Sequence, residues 1–262
     1  MKKILCLGFV LLFALYCGCG QKTDYYALLA EYSDFAREDA VDVTFTYDFG
    51  GPQLAALEAK WGLREIAGNG DTLARALNLL HWLCAHTYKV SDGQFDGEFN
   101  AAELLDFAFD SKENGLDCRY YSVAFSEMLL AVGIKAKALY CYPAVYRDNH
   151  VVVRVCLPEE ARWVMLDPSF DLYVTDEAGR VLDAPELRQK LAERAALRLN
   201  EGNTYGGDYF DYMAEDMLYF ECRQDAKFGM AAHEENKTIY LLPVDSSFDG
   251  SLICATWDSF WE

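Results

Sequence analysis

Three side chains in this sequence have the types and order needed for acyl transfer: Cys118, His150 and Asp167. Cys118 follows Asp117, a residue type that caps helices, and opens an amphipathic run from Cys118 to Val132. At the first position of a helix, unpaired N–H groups and the positive dipole end favour thiolate, the reactive form of cysteine. Position alone fits a small buried packing residue equally well. A hairpin separates the two readings. Pairing His150–Cys156 with Arg162–Asp167 about Pro158-Glu159 sets Val152 against Met165, Arg154 against Trp163 and His150 against Asp167. Opposed residues have Cβ atoms roughly 5 Å apart, so the carboxylate reaches the imidazole. A nucleophilic cysteine needs such a base with its orienting acid.

The elements that must position these groups are legible in the apolar pattern. Tyr121, Phe125, Met128, Leu129 and Val132 form the buried stripe of the Cys118 helix, and Gly133 stops it. Strands are expected over Lys135–Tyr142, His150–Cys156 and Arg162–Asp167. Upstream, helices are expected over Tyr25–Ala36, from Pro52, over Asp71–Thr87 and from Ala101 to Phe109, with a short strand at Val41–Phe45. Downstream, a helix is expected near Pro185–Asn200 and strands at Met217–Arg223 and Thr238–Val244. Helices first and antiparallel strands later make an α+β fold.

On these residues the sequence resembles the core of transglutaminase-like domains. The resemblance rests on Gly115-Leu116-Asp117-Cys118-Arg119-Tyr120-Tyr121, Ala124, Met128-Leu129-Leu130 and Gly133-Ile134-Lys135-Ala136-Lys137-Ala138. The segments Asn149-His150-Val151-Val152-Val153 and Trp163-Val164-Met165-Leu166-Asp167-Pro168 continue it, so it spans about residues 71–175. It implies a papain-like arrangement of helices on an antiparallel sheet, with the nucleophile at a helix N-terminus. Cys118 would be the nucleophile, His150 the general base and then acid, and Asp167 the orienter, with the Cys118 N–H as one oxyanion donor. The implied chemistry is acyl transfer on amide bonds through a thioester, with hydrolysis of a peptide or protein substrate favoured over cross-linking. A non-catalytic binding or assembly protein using the same cleft is the alternative. No cofactor is expected.

Other signals are weaker. Asp92, Asp96, Asn100 and Glu103 fit a calcium loop in part, but a capping box of Asn100 and Glu103 on the following helix explains them better, and no metal is expected. His81 and His86 are five apart and share no helix face, so His81 reads as a partly buried helix residue and His233 as an exposed one. Tyr205, Tyr209, Phe210, Tyr212, Tyr219 and Phe220 surround Gly206-Gly207; core and loop packing is preferred to a substrate groove. Arg188, Lys190, Arg194 and Arg198 read as a solvated face.

Lys2 and Lys3 precede a 14-residue apolar run, Ile4–Cys17, too short to span a bilayer and suited to a secretory signal. Gly18-Cys19 resembles a bacterial lipoprotein cleavage site. The expectation is a signal peptide over 1–18, lipid on Cys19, and a single exported domain over 19–262 tethered to the cell envelope; an uncleaved anchor is the alternative. In 262 residues, 52% apolar and 25% charged, the composition is that of a globular chain. A formal charge of −19, which becomes −21 when Lys2 and Lys3 leave, excludes nucleic acid as an expected partner. Nine cysteines divide into Cys6 and Cys17 in the signal, Cys19, the candidate nucleophile, and five packing residues. Of these, Cys156 alternates onto the face of His150 and is expected to neighbour the site.

Overall fold

The computed structural model describes residues 23–144, 148–229, 236–246 and 252–262. Cys6, Cys17, Cys19, the signal segment and His233 lie outside the described residues. The chain begins with α1 (Tyr25–Glu31), β1 (Thr46–Tyr47), α2 (Pro52–Trp61), α3 (Leu63–Ala67), α4 (Thr72–His86), α5 (Ala101–Asp110) and α6 (Cys118–Ala131). It continues with β2 (Ala136–Tyr142), β3 (His150–Leu157), β4 (Arg162–Asp167), β5 (Leu172–Thr175), α7 (Ala184–Ala192), β6 (Arg198–Leu199) and α8 (Tyr209–Asp216). It closes with β7 (Tyr219–Arg223), β8 (Asp225–Ala226), β9 (Thr238–Leu241), β10 (Ile253–Cys254) and α9 (Trp257–Trp261). No helix among the described residues is long and apolar enough to cross a membrane.

This is the expected α+β arrangement. Helix starts are set by short acidic or amide side chains: Asp24, Asp71, Asn100, Asp117, Asp183 and Asp208 each accept a hydrogen bond from a backbone N–H of the helix they cap. The main sheet has eight strands in the order β10-β9-β7-β2-β3-β4-β5-β6, antiparallel except at β10–β9. Along β3 the side chains alternate. Val151, Val153 and Val155 join the core beneath α6, while Val152 joins a second core on the other face with Leu139, Met165, Leu187, Met213 and Phe220.

Helix α6 packs against β2 and β3 on one side and α2, α4 and α5 on the other. Its residues Tyr121–Ala131 are all buried, so only its first turn meets solvent. Its polar side chains are satisfied inside. Ser122 donates to the Val151 carbonyl (2.8 Å), and Glu127 accepts from the Ala101 N–H (2.8 Å) and the Gly229 N–H (2.9 Å). Glu127 thus fixes the start of α5 against the middle of α6.

Several expectations are corrected. The β3–β4 register is shifted by two residues: Arg154 pairs with Met165 and Cys156 with Trp163. The cause is the turn, which spans Pro158–Ala161 with Ala161 at φ 50°, where a two-residue Pro158-Glu159 turn was expected. Helix α1 ends at Glu31, well short of Ala36, and Val41 makes only an isolated bridge to Ala255, so Val41–Phe45 is not a strand. The helix expected near Pro185–Asn200 stops at Ala192; Arg194 adopts φ 53°, and Arg198–Leu199 is a strand on β5. Arg188 is no part of a solvated face. It is buried, donating to the carbonyls of Met217 (2.9 Å) and Tyr32 (2.6 Å).

The second core also encloses charge. Arg154 is buried between the rings of Trp163 and Trp261 and pairs through Nε with Asp183 (2.9 Å). Beside it Lys137, 1% exposed, sets Nζ over the Phe45 ring and donates to the Phe260 carbonyl (3.3 Å). Burial pushes Lys137 down to about 7, and Arg154 pushes the same way against Cys222. The unfolded chain keeps this proton to about 10.5. The cost of Lys137 is therefore full below pH 7 and fades as pH rises toward 10. Lys137→Met is expected to stabilise the protein by about 1–3 kcal/mol at pH 6.5 and by less at pH 9.5, measured by urea denaturation at both values.

Candidate active site

The N-terminus of α6 and the start of β3 meet at one end of the sheet. Asp117 caps α6 by accepting from the Tyr120 N–H at 2.9 Å. The preceding segment is held by a parallel bridge between Lys89 and Leu116, with the Leu116 N–H donating to Tyr88 (2.8 Å) and the Val90 N–H to Leu116 (3.0 Å). That bridge explains Gly115, where a Cβ would collide with the Val90 side chain. Cys118 is thereby fixed as the first helical residue, half-buried, with its Sγ 3.8 Å from the Asn149 carbonyl it donates to. Its N–H belongs to the first-turn amides that no helical carbonyl can take.

His150 and Asp167 are fully buried, and His150 Nε2 lies 2.6 Å from Asp167 Oδ2. Because of the register shift, the pair is diagonal across the hairpin. A two-residue slip keeps both side chains on one face, whereas a one-residue slip would have parted them. Asp167 also accepts from the Tyr209 hydroxyl through Oδ2 (2.9 Å) and from the Ser169 N–H through Oδ1 (3.0 Å). Burial works against a charged His150. The charge and hydrogen bond of Asp167 outweigh it, Cys118 adds to both, and the ring is pushed up to about 10. Nδ1 is buried with no closed hydrogen bond. Cys118 thus acts on the ring without a tight contact, a looseness common in catalytic pairs without substrate.

The structure therefore brings Cys118, His150 and Asp167 into one cluster. Residues 62–168 match the Transglutaminase-like superfamily. Over that stretch the chain is similar to a transglutaminase-like domain. No curated protein matches the sequence. Among solved structures the chain is similar to a candidate cysteine protease of Cytophaga hutchinsonii, with 14% identity over 57% of this chain and 47% of that one, at a TM-score of 0.36. It is also similar to the periplasmic domain of TgpA from Pseudomonas aeruginosa, with 23% identity over 56% and 48% and a TM-score of 0.35. For LapG of Legionella pneumophila the values are 14%, 54%, 77% and 0.34. The chain spans about half the length of the first two.

Elements beyond the transglutaminase-like match add to the site. From α8, Tyr209 buttresses Asp167, and the Tyr212 ring lies 5.0 Å from the His150 ring, centroid to centroid. Phe170 stacks on His150 at 5.8 Å and meets Tyr205 at 4.7 Å. Packing was the preferred reading of this aromatic group, and its rings do pack together, with Tyr212 against the imidazole and Tyr209 bonded to Asp167. The signal for two of them is the i,i+3 spacing of Tyr209 and Tyr212 on one helix. Burial, then the charge of Asp167, raises the Tyr209 phenol, which keeps it a donor.

The cysteine neighbour is also corrected. Cys141, directly across from His150, is a thiol that burial, then the charges of Asp216, Asp167 and Cys118, pushes well above its ordinary range, whereas Cys156 sits near the far end of β3 opposite Trp163. All six described cysteines are free thiols.

The remaining candidates fall elsewhere. Asn100 caps α5 by accepting from the Glu103 N–H (3.0 Å). Among the described residues no group of three or more His, Cys, Asp or Glu side chains could hold a metal ion, and Asp92 and Asp96 are exposed. His81 is half-exposed, not partly buried in the core, because Nδ1 reaches outward to Asp171 (2.5 Å).

Proposed function

We propose that the domain is a cysteine-dependent acyl-transfer enzyme that hydrolyses amide bonds in a peptide or protein. The observation that carries this reading is a buried imidazole tied through Nε2 to a buried carboxylate, its Nδ1 left free beside a cysteine that opens a helix. Cys118, as thiolate with the His150 imidazolium as counter-ion, attacks the amide carbonyl carbon and forms the C–S bond. The carbonyl oxygen becomes an oxyanion, which the Cys118 N–H is placed to receive. The C–N bond then breaks, and the leaving amine takes the Nδ1 proton. Water adds to the thioester, giving its proton back to Nδ1. The C–S bond breaks and releases the carboxylic acid and the thiolate. We further propose that the protein is exported and held at the bacterial cell envelope by lipid on Cys19.

Thiol alkylation at mildly acidic pH tests the reading. With iodoacetamide at pH 6, Cys118 is expected to label at least about tenfold faster than Cys84, whose thiol burial raises far above the ordinary range. His150→Ala should slow labelling of Cys118. Equal rates at Cys118 and Cys84, read by peptide mass spectrometry, would refute catalysis and leave a binding module.

A further inference from the structure

Beside the catalytic cluster is a small cleft of about 230 Å³ lined by Pro143, Asp148, Asn149, Tyr212, Glu215 and Asp216. It is continuous with the site through two residues. The Asn149 carbonyl is the group that Cys118 Sγ meets at 3.8 Å, and Tyr212 packs on His150. Three of its six residues carry carboxyl groups. Glu215 accepts from the Tyr25 hydroxyl (2.8 Å), and Asp148 accepts from the Asn149 N–H (2.9 Å) while the rest of its side chain is exposed.

Asp216 is different. It ends α8, is only 7% exposed, and lines the cleft with a carboxylate that no hydrogen bond or ion pair holds among the described residues. A buried, unpartnered carboxyl is costly to a fold, and such groups persist where a ligand completes them. Its burial, with Glu215 and Asp148 close by, raises it to about 7 even against the opposing charge of His150. A cation entering the cleft would relieve this.

We infer that this cleft is a specificity subsite for a cationic side chain, lysine or arginine, of the peptide substrate, with Asp216 and Asp148 as its anionic contacts. The volume is below the roughly 300–1,000 Å³ of pockets that enclose a whole ligand, so it suits one side chain of a longer chain. Pro143 and the Tyr212 ring offer an apolar wall for the methylene stem, and the carboxylates meet the charged head. A divalent metal is a poorer occupant, since the described carboxylates do not converge as a ligand set. The net charge of −19 assists by drawing basic peptides toward the surface.

The inference rests on the acyl-transfer reading for its link to catalysis, so its test uses binding. A random decapeptide library is passed over immobilised Cys118→Ala protein, and the retained peptides are sequenced. Lysine or arginine is expected to be enriched at least about fivefold at one position. The enrichment should vanish in the Cys118→Ala, Asp216→Asn double variant, weaken in Cys118→Ala, Asp148→Asn, and persist in Cys118→Ala, Asp216→Glu. Absence of basic enrichment, or enrichment unchanged by Asp216→Asn, would overturn the subsite. Enrichment that depends on Asp216, in a protein whose Cys118 labels no faster than Cys84, would support the subsite and remove the catalytic reading alone. Enrichment abolished by EDTA would replace the basic side chain with a metal ion and overturn the proposal.

Discussion

Replacing Cys118 with alanine is expected to lower amide hydrolysis by about 10⁴-fold or more while leaving the fold intact. The magnitude follows from the loss of a covalent nucleophile, where removal of one member of a cooperating set costs nearly as much as removal of all. The fold is spared because Cys118 is half-buried at the first turn of α6, whose start is held by the Asp117 cap, the Lys89–Leu116 bridge and the buried stretch Tyr121–Ala131. A change of one sulfur there should move stability by less than about 0.5 kcal/mol. Cys118→Ser keeps the shape and should be nearly as inactive, because an alcohol is far harder to ionise than a thiol. Cleavage of an internally quenched peptide library, with urea denaturation in parallel, checks both halves. Cys84→Ala and Cys141→Ala remove a half-buried and a buried thiol and should affect stability before rate. Hydrolysis retained by Cys118→Ala would place the nucleophile elsewhere and defeat the mechanism.

Which parts of this arrangement could be read from the sequence follows from the range of the interactions involved. Local signals held well. The stripe of Tyr121, Phe125, Met128 and Leu129 and the Asp117 cap mark α6 because each acts within a few residues along the chain. The hairpin placed His150 and Asp167 on one face because that conclusion depends only on parity, which the two-residue shift preserves. The true register depends on a four-residue turn with Ala161 at positive φ, and no local preference of alanine announces that. Arg188 misled because its partners, the carbonyls of Met217 and Tyr32, come from segments 29 and 156 residues away. Asp216 and Tyr209 share that difficulty. Both sit on α8, whose docking over β2 and against α1 and α7 turns a loop-flanked helix into one wall of the site. Such residues are visible as a cluster of aromatics and acids, but their roles are set by tertiary contacts.

Asp167→Asn tests how the site controls its proton, and its outcome can be derived from the three hydrogen bonds the carboxylate accepts. The Ser169 N–H is a backbone donor with no alternative role, so in the variant the amide oxygen must take the Oδ1 position facing it. The amide NH₂ is then left at the Oδ2 position. The Tyr209 hydroxyl can rotate to accept from it, but His150 Nε2 must accept as well. A neutral ring accepting at Nε2 carries its proton on Nδ1, so it cannot take a proton from Cys118. That is the wrong tautomer, and where an aspartate–histidine pair is altered this way in other triads the loss is about 10⁴-fold. The pH dependence should move with it. Asp167 holds His150 up at about 10, so the alkaline limb of hydrolysis, where the leaving amine no longer finds an imidazolium proton, should fall from near pH 10 toward the ordinary histidine value of 6.5. Stability must follow the same linkage. A histidine raised in the folded state contributes stability that is fully present below pH 6.5 and lost as pH climbs through about 10. The variant should therefore lose about 3–5 kcal/mol at pH 6, as expected for breaking a buried pair, and distinctly less at pH 10. Rates of peptide hydrolysis across pH 5–11, with urea denaturation at the two ends, measure all three effects. A rate loss with an unmoved alkaline limb would mean that Asp167 shapes the pocket without governing the charge of His150.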